Sequence, residues 1–246
     1  MIALGVMAGI WLAGKRVEER GIGTRDDITA VALWAVPAGI VGARLYHVIT
    51  DWSRFDGHLL DIFKIWKGGL GIWGGIAGGV GVGLWLIKKR GLPIGLVATC
   101  VAPALALAQS IGRWGNWWNQ ELFGRSTTLP WALEISDSKT IEAGFLPGTT
   151  FHPTFLYESI GCLVIAVLLL VIDKHFRLRP GRLFFVYMAM YTLMRFFIEG
   201  LRVDPAHRVG GLRLNQWTSI AVFSVSVLIL IWSVFISDKE NGGTEQ

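Results

Sequence analysis

"QSIGRWGNWWNQELFGR", residues 109–125, closes an apolar run that begins near residue 92. The stretch sets two arginines, two asparagines, two glutamines and a glutamate among three tryptophans and three glycines. A helix that merely ends at a membrane surface needs no such density of hydrogen-bonding groups. If the helix continued through it, Gln109, Arg113, Asn116 and Gln120 would share one face. Gly115 makes a helix-to-loop transition an equal expectation. In both readings a polar cluster sits at one end of an apolar segment.

The rest of the chain fixes what kind of segment that is. Of 246 residues, 52% are hydrophobic and 17% charged, and the mean hydropathy is +0.50. A soluble domain cannot cover so much apolar surface with so few charges, so an all-α polytopic membrane protein is expected. The net charge of +5 fits topology and anionic lipid, and no nucleic-acid partner is expected. Twelve tryptophans suit interfacial belts. Cys100 and Cys162 fall inside apolar runs and read as small buried residues.

Seven apolar segments can be marked, at 1–14, 28–50, 69–87, 92–112, 153–172, 183–201 and 214–236. They predict about seven transmembrane helices in a single domain over 1–236. The first run is too short to span, since about 20 residues are needed. The sequence is therefore expected to start inside its first helix. Residues 115–152 are too long for a turn, and "STTLPWALEISDSKT" alternates enough to suggest short strands or a small extracytoplasmic cap. Residues 237–246 read as a disordered cytoplasmic tail. Lys and Arg are densest in 15–27, 88–91 and 173–182, which places those loops in the cytoplasm and the polar stretch outside.

Charge inside a membrane helix is costly and points to function. Tyr191, Arg195, Glu199 and Arg202 recur at i, i+4, i+8 and i+11 and form one helical stripe. That stripe reads either as a structural ion pair or as an anion site whose arginine is held by the glutamate. Arginine suits phosphate because its planar fork is always charged. Arg44, His47 and Asp51 recur at i, i+3 and i+7, with Arg44 the deepest. Arg113 and Arg195 are expected near the same leaflet, where two convergent arginines suit a phospholipid headgroup.

"WKGGLGIWGGIAGGVGVG", 66–83, contains G-x-G-x-x-G at Gly69, Gly71 and Gly74. No strand precedes it, so a dinucleotide site is not expected. Small-xxx-small packing, as at Gly75 and Gly79, explains most of these glycines. "FHPTFLYES", 151–159, opens the fifth segment with Pro153 near its first turn and Glu158 soon after. No metal-ligand spacing occurs, and neither metal nor cofactor is expected. A transporter and a membrane scaffold are the competing classes. The absence of an internal repeat and the clustering toward one leaflet weigh against the first. The arginine stripe weighs against the second.

Together these segments resemble the prolipoprotein diacylglyceryl transferase family. "GRWGNWWNQELFG", 112–124, is similar to its G-R-x-G-N-x-x-N-x-E-x-x-G signature, supported by "GARLYHV" (42–48), "GGLGIWGG" (68–75), "HPTFLYE" (152–158) and "RFFIEGLRVD" (195–204). The resemblance covers about residues 1–236. It implies a multi-pass enzyme of the bacterial inner membrane with its site toward the outer leaflet. The implied substrates are phosphatidylglycerol and the lipobox cysteine of prolipoprotein signal peptides. It implies catalytic roles for Arg113 and Arg195. It implies substrate-binding roles for Asn116, Glu121, Gly124, Tyr191, Glu199 and Arg202, with Arg44 and His47 as further candidates. Glu121 and Glu199 would orient the arginines. Trp73 stands where many members carry a histidine. A thiol base would then be His47, a carboxylate, or the arginine field itself.

Overall fold

The computed structural model describes residues 1–64, 68–176 and 178–242, without the side chains of 54 and 236–242. Seven long helices follow the seven apolar segments: α1 Ile2–Glu19, α2 Arg25–Thr50, α3 Ile72–Lys89, α4 Ile94–Gly112, α7 Thr154–His175, α8 Arg182–Leu201 and α9 Leu214–Gly242. Two short helices, α5 Trp114–Asn119 and α6 Asp137–Glu142, lie between α4 and α7. The hairpin β1 Arg208–Val209 and β2 Leu212–Arg213 joins α8 to α9. Among the described residues five spans are long and apolar enough to cross a membrane: α2, α4 continued through α5, α7, α8 and α9 to Phe235. α1 and α3 are not among them; α1 ends in four charged residues, and α3 is rich in glycine. The protein is a polytopic all-α membrane protein. α9 continues past 237 into the stretch read as a tail, and 243–246 lie outside the described residues.

The helices form two compact units, Met1–Leu12 with Ala98–Gln246, and Ala13–Val97. In the second unit α2 begins at a capping box. The Thr24 hydroxyl accepts from the Asp27 N–H at 3.2 Å, and the Asp27 carboxylate accepts from the Thr24 N–H at 2.9 Å. α2 then packs against α3 backbone to backbone. A Cβ on Gly42 would lie 2.3 Å from the Gly74 carbonyl oxygen, and one on Gly78 would lie 2.4 Å from that of Ala38. Lipid supplies no hydrophobic drive between helices, so close backbone approach and dispersion hold such a pair. The expected packing role of the glycines is therefore real. Its tightest points are Gly42, Gly74 and Gly78; a Cβ on Gly75 would make only ordinary contact.

In the other unit, Ala102 and Ala106 of α4, Ile165, Ala166 and Leu169 of α7, and Leu183 and Tyr187 of α8 make the apolar core. The polar stretch folds as a cap over its own small core of Phe123, Ile135 and Phe151. Its strand pairing reduces to isolated bridges, Ser126 with Phe151 and Leu133 with Phe151. Pro130 has no N–H to extend a ladder, and the chain turns into α6 soon after.

Gly42→Ala or Gly74→Ala is expected to destabilise the protein by about 1–3 kcal/mol through forced separation of α2 and α3. Gly81→Ala, which meets nothing within 4 Å, leaves stability unchanged or raised. Thermal unfolding in detergent checks the contrast.

Candidate active site

Arg113 lies at the joint between α4 and α5, as the N-cap residue of α5. Arg113 keeps helical backbone angles, so the chain continues as a helix through Gly115 and leaves for the loop only at left-handed Gln120; the Arg113 guanidinium reaches α7. There Glu158, 3% exposed, receives both arginines. Its Oε2 lies 2.6 Å from Arg113 Nε, and its Oε1 accepts from Arg195 Nη1 of α8. One carboxylate thus bridges two helices' arginines. Arg113 also donates to the Tyr191 hydroxyl at 3.4 Å, and Tyr191 stacks on Tyr187. Tyr187 in turn donates to Gln109 Oε1 at 2.9 Å.

A second layer stands behind Arg195. Glu199, fully buried, accepts from Arg195 Nη2 at 2.6 Å through Oε2. Its Oε1 accepts from Arg213 Nε at 2.8 Å and Asn215 Nδ2 at 3.1 Å. Arg202 has left the helix as the C-cap residue of α8, yet its Nη1 lies 3.5 Å from Glu199 Oε2 and its Nε donates to Asp204 at 2.7 Å. Tyr191, Arg195 and Glu199 therefore do share a stripe, and Arg202 joins it from the following loop. Buried carboxylates among partly buried arginines satisfy the rule that interior charge must be paired.

The structure divides the signature residues. Asn116 lies one turn beyond Arg113, its N–H bonded to the Arg113 carbonyl at 3.1 Å. Glu121 does not orient an arginine. It is exposed and accepts from Asn119 Nδ2 at 3.0 Å, because Gln120 and Leu122 on either side take left-handed backbone angles that swing it outward. The acid that pairs with both arginines is Glu158. Gly124 is buried in a strap: its N–H bonds the His152 carbonyl at 2.9 Å, and it bridges Arg202. A Cβ there would lie 2.8 Å from that of His152 and 3.2 Å from the Leu201 carbonyl oxygen. Glycine is thus needed where the cap crosses the end of α8.

Arg44 and His47 belong to the unit 13–97. Arg44 spends its donors on the loop that follows α2. Nε donates to the Ile62 carbonyl, Nη1 to Gly68 and Gly69, and Nη2 to Asp61 and Lys64, at 2.6–3.4 Å. The guanidinium also lies over the Phe55 ring, 5.2 Å from its centroid. A guanidinium has five N–H groups, so this one offers none to a headgroup in the arrangement seen. His47 packs against Phe55, with Nε2 4.0 Å from Asp51 Oδ2. Gly69 sits against it at φ +79, where any Cβ would strike the imidazole.

Sequence reasoning singled out Glu158 without giving it a role, and it passed over Asp204, Arg213 and Asn215. Two arginines expected near one leaflet needed anionic partners. Glu158, an acid inside an apolar run, was the available signal. Chemically, Arg113 and Arg195 present fixed positive charge in a low-dielectric setting, which favours a developing anion. Among the described residues no group of three or more His, Cys, Asp or Glu could hold a metal.

A family model described as prolipoprotein diacylglyceryl transferase matches residues 1–232. The phosphatidylglycerol–prolipoprotein diacylglyceryl transferase 1 of Streptomyces coelicolor is 50% identical over 236 residues, covering 94% of this chain and 67% of the relative. That of Streptomyces griseus is 49% identical, covering 100% of this chain and 73% of the relative. That of Cutibacterium acnes is 50% identical, covering 93% and 79% respectively.

Glu158→Gln is expected to cost about 3–5 kcal/mol of stability, because it breaks two ion pairs at a buried carboxylate and leaves two partly buried arginines short of charge. Glu121→Gln, at an exposed site, stays within about 0.5 kcal/mol of the parent. Denaturation of both variants in the same detergent compares them.

Proposed function

The chain belongs to the prolipoprotein diacylglyceryl transferase family, and on that premise we propose that it transfers the diacylglyceryl group of phosphatidylglycerol to the lipobox cysteine of prolipoprotein signal peptides. The thiol proton passes, by way of solvent, to the departing phosphate, and sulfur bonds to the glyceryl carbon. The carbon–oxygen bond to phosphate breaks, and glycerol phosphate leaves with the electron pair. The product is a thioether. The enzyme works in the bacterial inner membrane, and its site faces the outer leaflet.

One observation carries the reading: Arg113 and Arg195 share the buried carboxylate of Glu158. The arginines of that cluster, Arg113, Arg195, Arg202 and Arg213, face the carboxylates of Glu158, Glu199 and Asp204. The excess of one positive charge matches the single negative charge of a phosphodiester. Arg113 and Arg195, the two most accessible of the four, would hold the phosphate and stabilise the charge that grows as it departs. Asn116 and Tyr191, beside Arg113, would bond headgroup oxygens. Glu199 and Arg202 would support Arg195, and Gly124 would keep the cap seated. Trp73 accepts no proton, since an indole nitrogen only donates.

The test uses the purified protein with phosphatidylglycerol and a peptide bearing the lipobox cysteine. The peptide is expected to gain the mass of one diacylglyceryl group as glycerol phosphate appears. Arg113→Ala and Arg195→Ala are each expected to lower the rate at least about a hundredfold, the scale of removing one charge-stabilising donor, while the protein still inserts. Retention of full transfer by both variants would sink the assignment.

A further inference from the structure

We infer that Arg213 is a positioning residue for the transfer reaction, acting on Arg195 through the carboxylate of Glu199. The inference rests on the reading that Arg195 holds the departing phosphate.

The hairpin between α8 and α9 is built to return this arginine. Gly210 and Gly211 turn the chain at φ +57 and +81, and β1 pairs with β2 so that Arg208 stands opposite Arg213. Arg208 is exposed, whereas Arg213 is 4% exposed. The backbone of Arg213 is pinned too: its N–H donates to Gln216 Oε1 at 3.0 Å, while Gln216 Nε2 donates to the Phe196 carbonyl at 3.2 Å. All three nitrogens of the guanidinium are engaged. Nε donates to Glu199 at 2.8 Å, Nη1 to the Arg202 carbonyl at 3.1 Å, and Nη2 to Asp204 at 2.8 Å.

The two oxygens of Glu199 divide their work. Oε2 faces Arg195 and Arg202, and Oε1 faces Arg213 and Asn215. A carboxylate gripped on Oε1 cannot rotate without breaking those bonds. The direction of Oε2, and with it the aim of the Arg195 guanidinium, is set from behind. Arg213 itself touches neither Glu158 nor Arg113 in the contacts seen. Its effect on chemistry therefore passes through Glu199, directly at Oε1 and by way of Arg202, whose carbonyl and Asp204 partner it also holds. Reacting groups tolerate little misplacement, and about 1 Å costs as much as a hundredfold in rate.

The experiment measures kcat, KM for the lipobox peptide and the thermal midpoint for Arg213→Gln, Arg213→Lys and Arg195→Ala in one detergent preparation. For Arg213→Gln, kcat per folded molecule is expected to fall by roughly ten- to hundredfold, with the peptide KM within about twofold. Arg213→Lys restores part of that loss, because an ammonium keeps charge beside Glu199 but cannot span all three acceptors. If Arg195→Ala is inactive while both Arg213 variants turn over at the parental rate, the inference is overturned and the phosphate assignment stands. If Arg195→Ala retains full activity, the phosphate assignment fails and takes the inference with it. Should Arg213→Gln not fold, Arg213→Lys decides, since its ammonium cannot span the three acceptors that fix the guanidinium. A folded Arg213→Lys with parental kcat then overturns the inference, and a fall in kcat at constant peptide KM supports it.

Discussion

Two guanidinium groups on separate helices cannot be brought together inside a membrane protein without something to offset their repulsion. At 4 Å and an effective dielectric near 20, that repulsion is about 4 kcal/mol. Glu158 supplies the offset, one oxygen for Arg113 and the other for Arg195. The rest of its unit follows from this arrangement. α7 must place Glu158 between α8 and the α4–α5 joint. Arg113 must lie on the side of the joint that faces α7, and α8 must carry a second acid one turn past Arg195. The two like charges that suit a phosphate are thus also what ties three stretches of chain together.

Charge could not end at that pair. Arg195 is shared between Glu158 and Glu199, and Glu199 draws in Arg202, Arg213 and Asn215. Each partner that satisfies a buried group brings its own need for one, so the network grows until it meets backbone carbonyls and the half-exposed Asp204. The α8–α9 hairpin is where it closes. That accounts for a buried arginine at the last position of a two-residue strand, a place where packing alone would call for an apolar side chain.

Hydropathy made the helices legible, since each of the seven apolar segments became one. The period of 3.6 residues put Tyr191, Arg195 and Glu199 on one face. Side-chain partners across helices were less legible. Glu158 and Glu121 are both acids near the signature in space or in sequence, and only the fold says which one turns inward. The left-handed residues at 120 and 122, neither of them glycine, reverse the direction that helical continuation would give Glu121. Arg44 was misleading for a related reason. A deep arginine in a membrane helix suggests a ligand, but five carbonyl groups in the loop after its own helix claim its donors. Loop carbonyls leave no mark in a sequence pattern.

Helices in lipid need a reason to associate, because the solvent is as apolar as their surfaces. The two units of this protein answer differently. In 13–97, α2 and α3 meet through glycines whose backbones nearly touch; the contact holds by dispersion along them, and one ion pair, Asp27 with Arg90, closes its end. Around Glu158 the helices meet through ion pairs that could not exist if the side chains faced lipid. Glycine contacts make a rigid pair but offer nothing to a substrate. Ion pairs cost more to assemble, yet they leave guanidinium edges that an anion can still reach, since Arg113 and Arg195 remain 21% and 14% exposed. On the proposed reading the division is physically sensible: an anionic leaving group suits the place where cohesion is electrostatic, because the guanidinium groups that hold the helices together would also stabilise its charge.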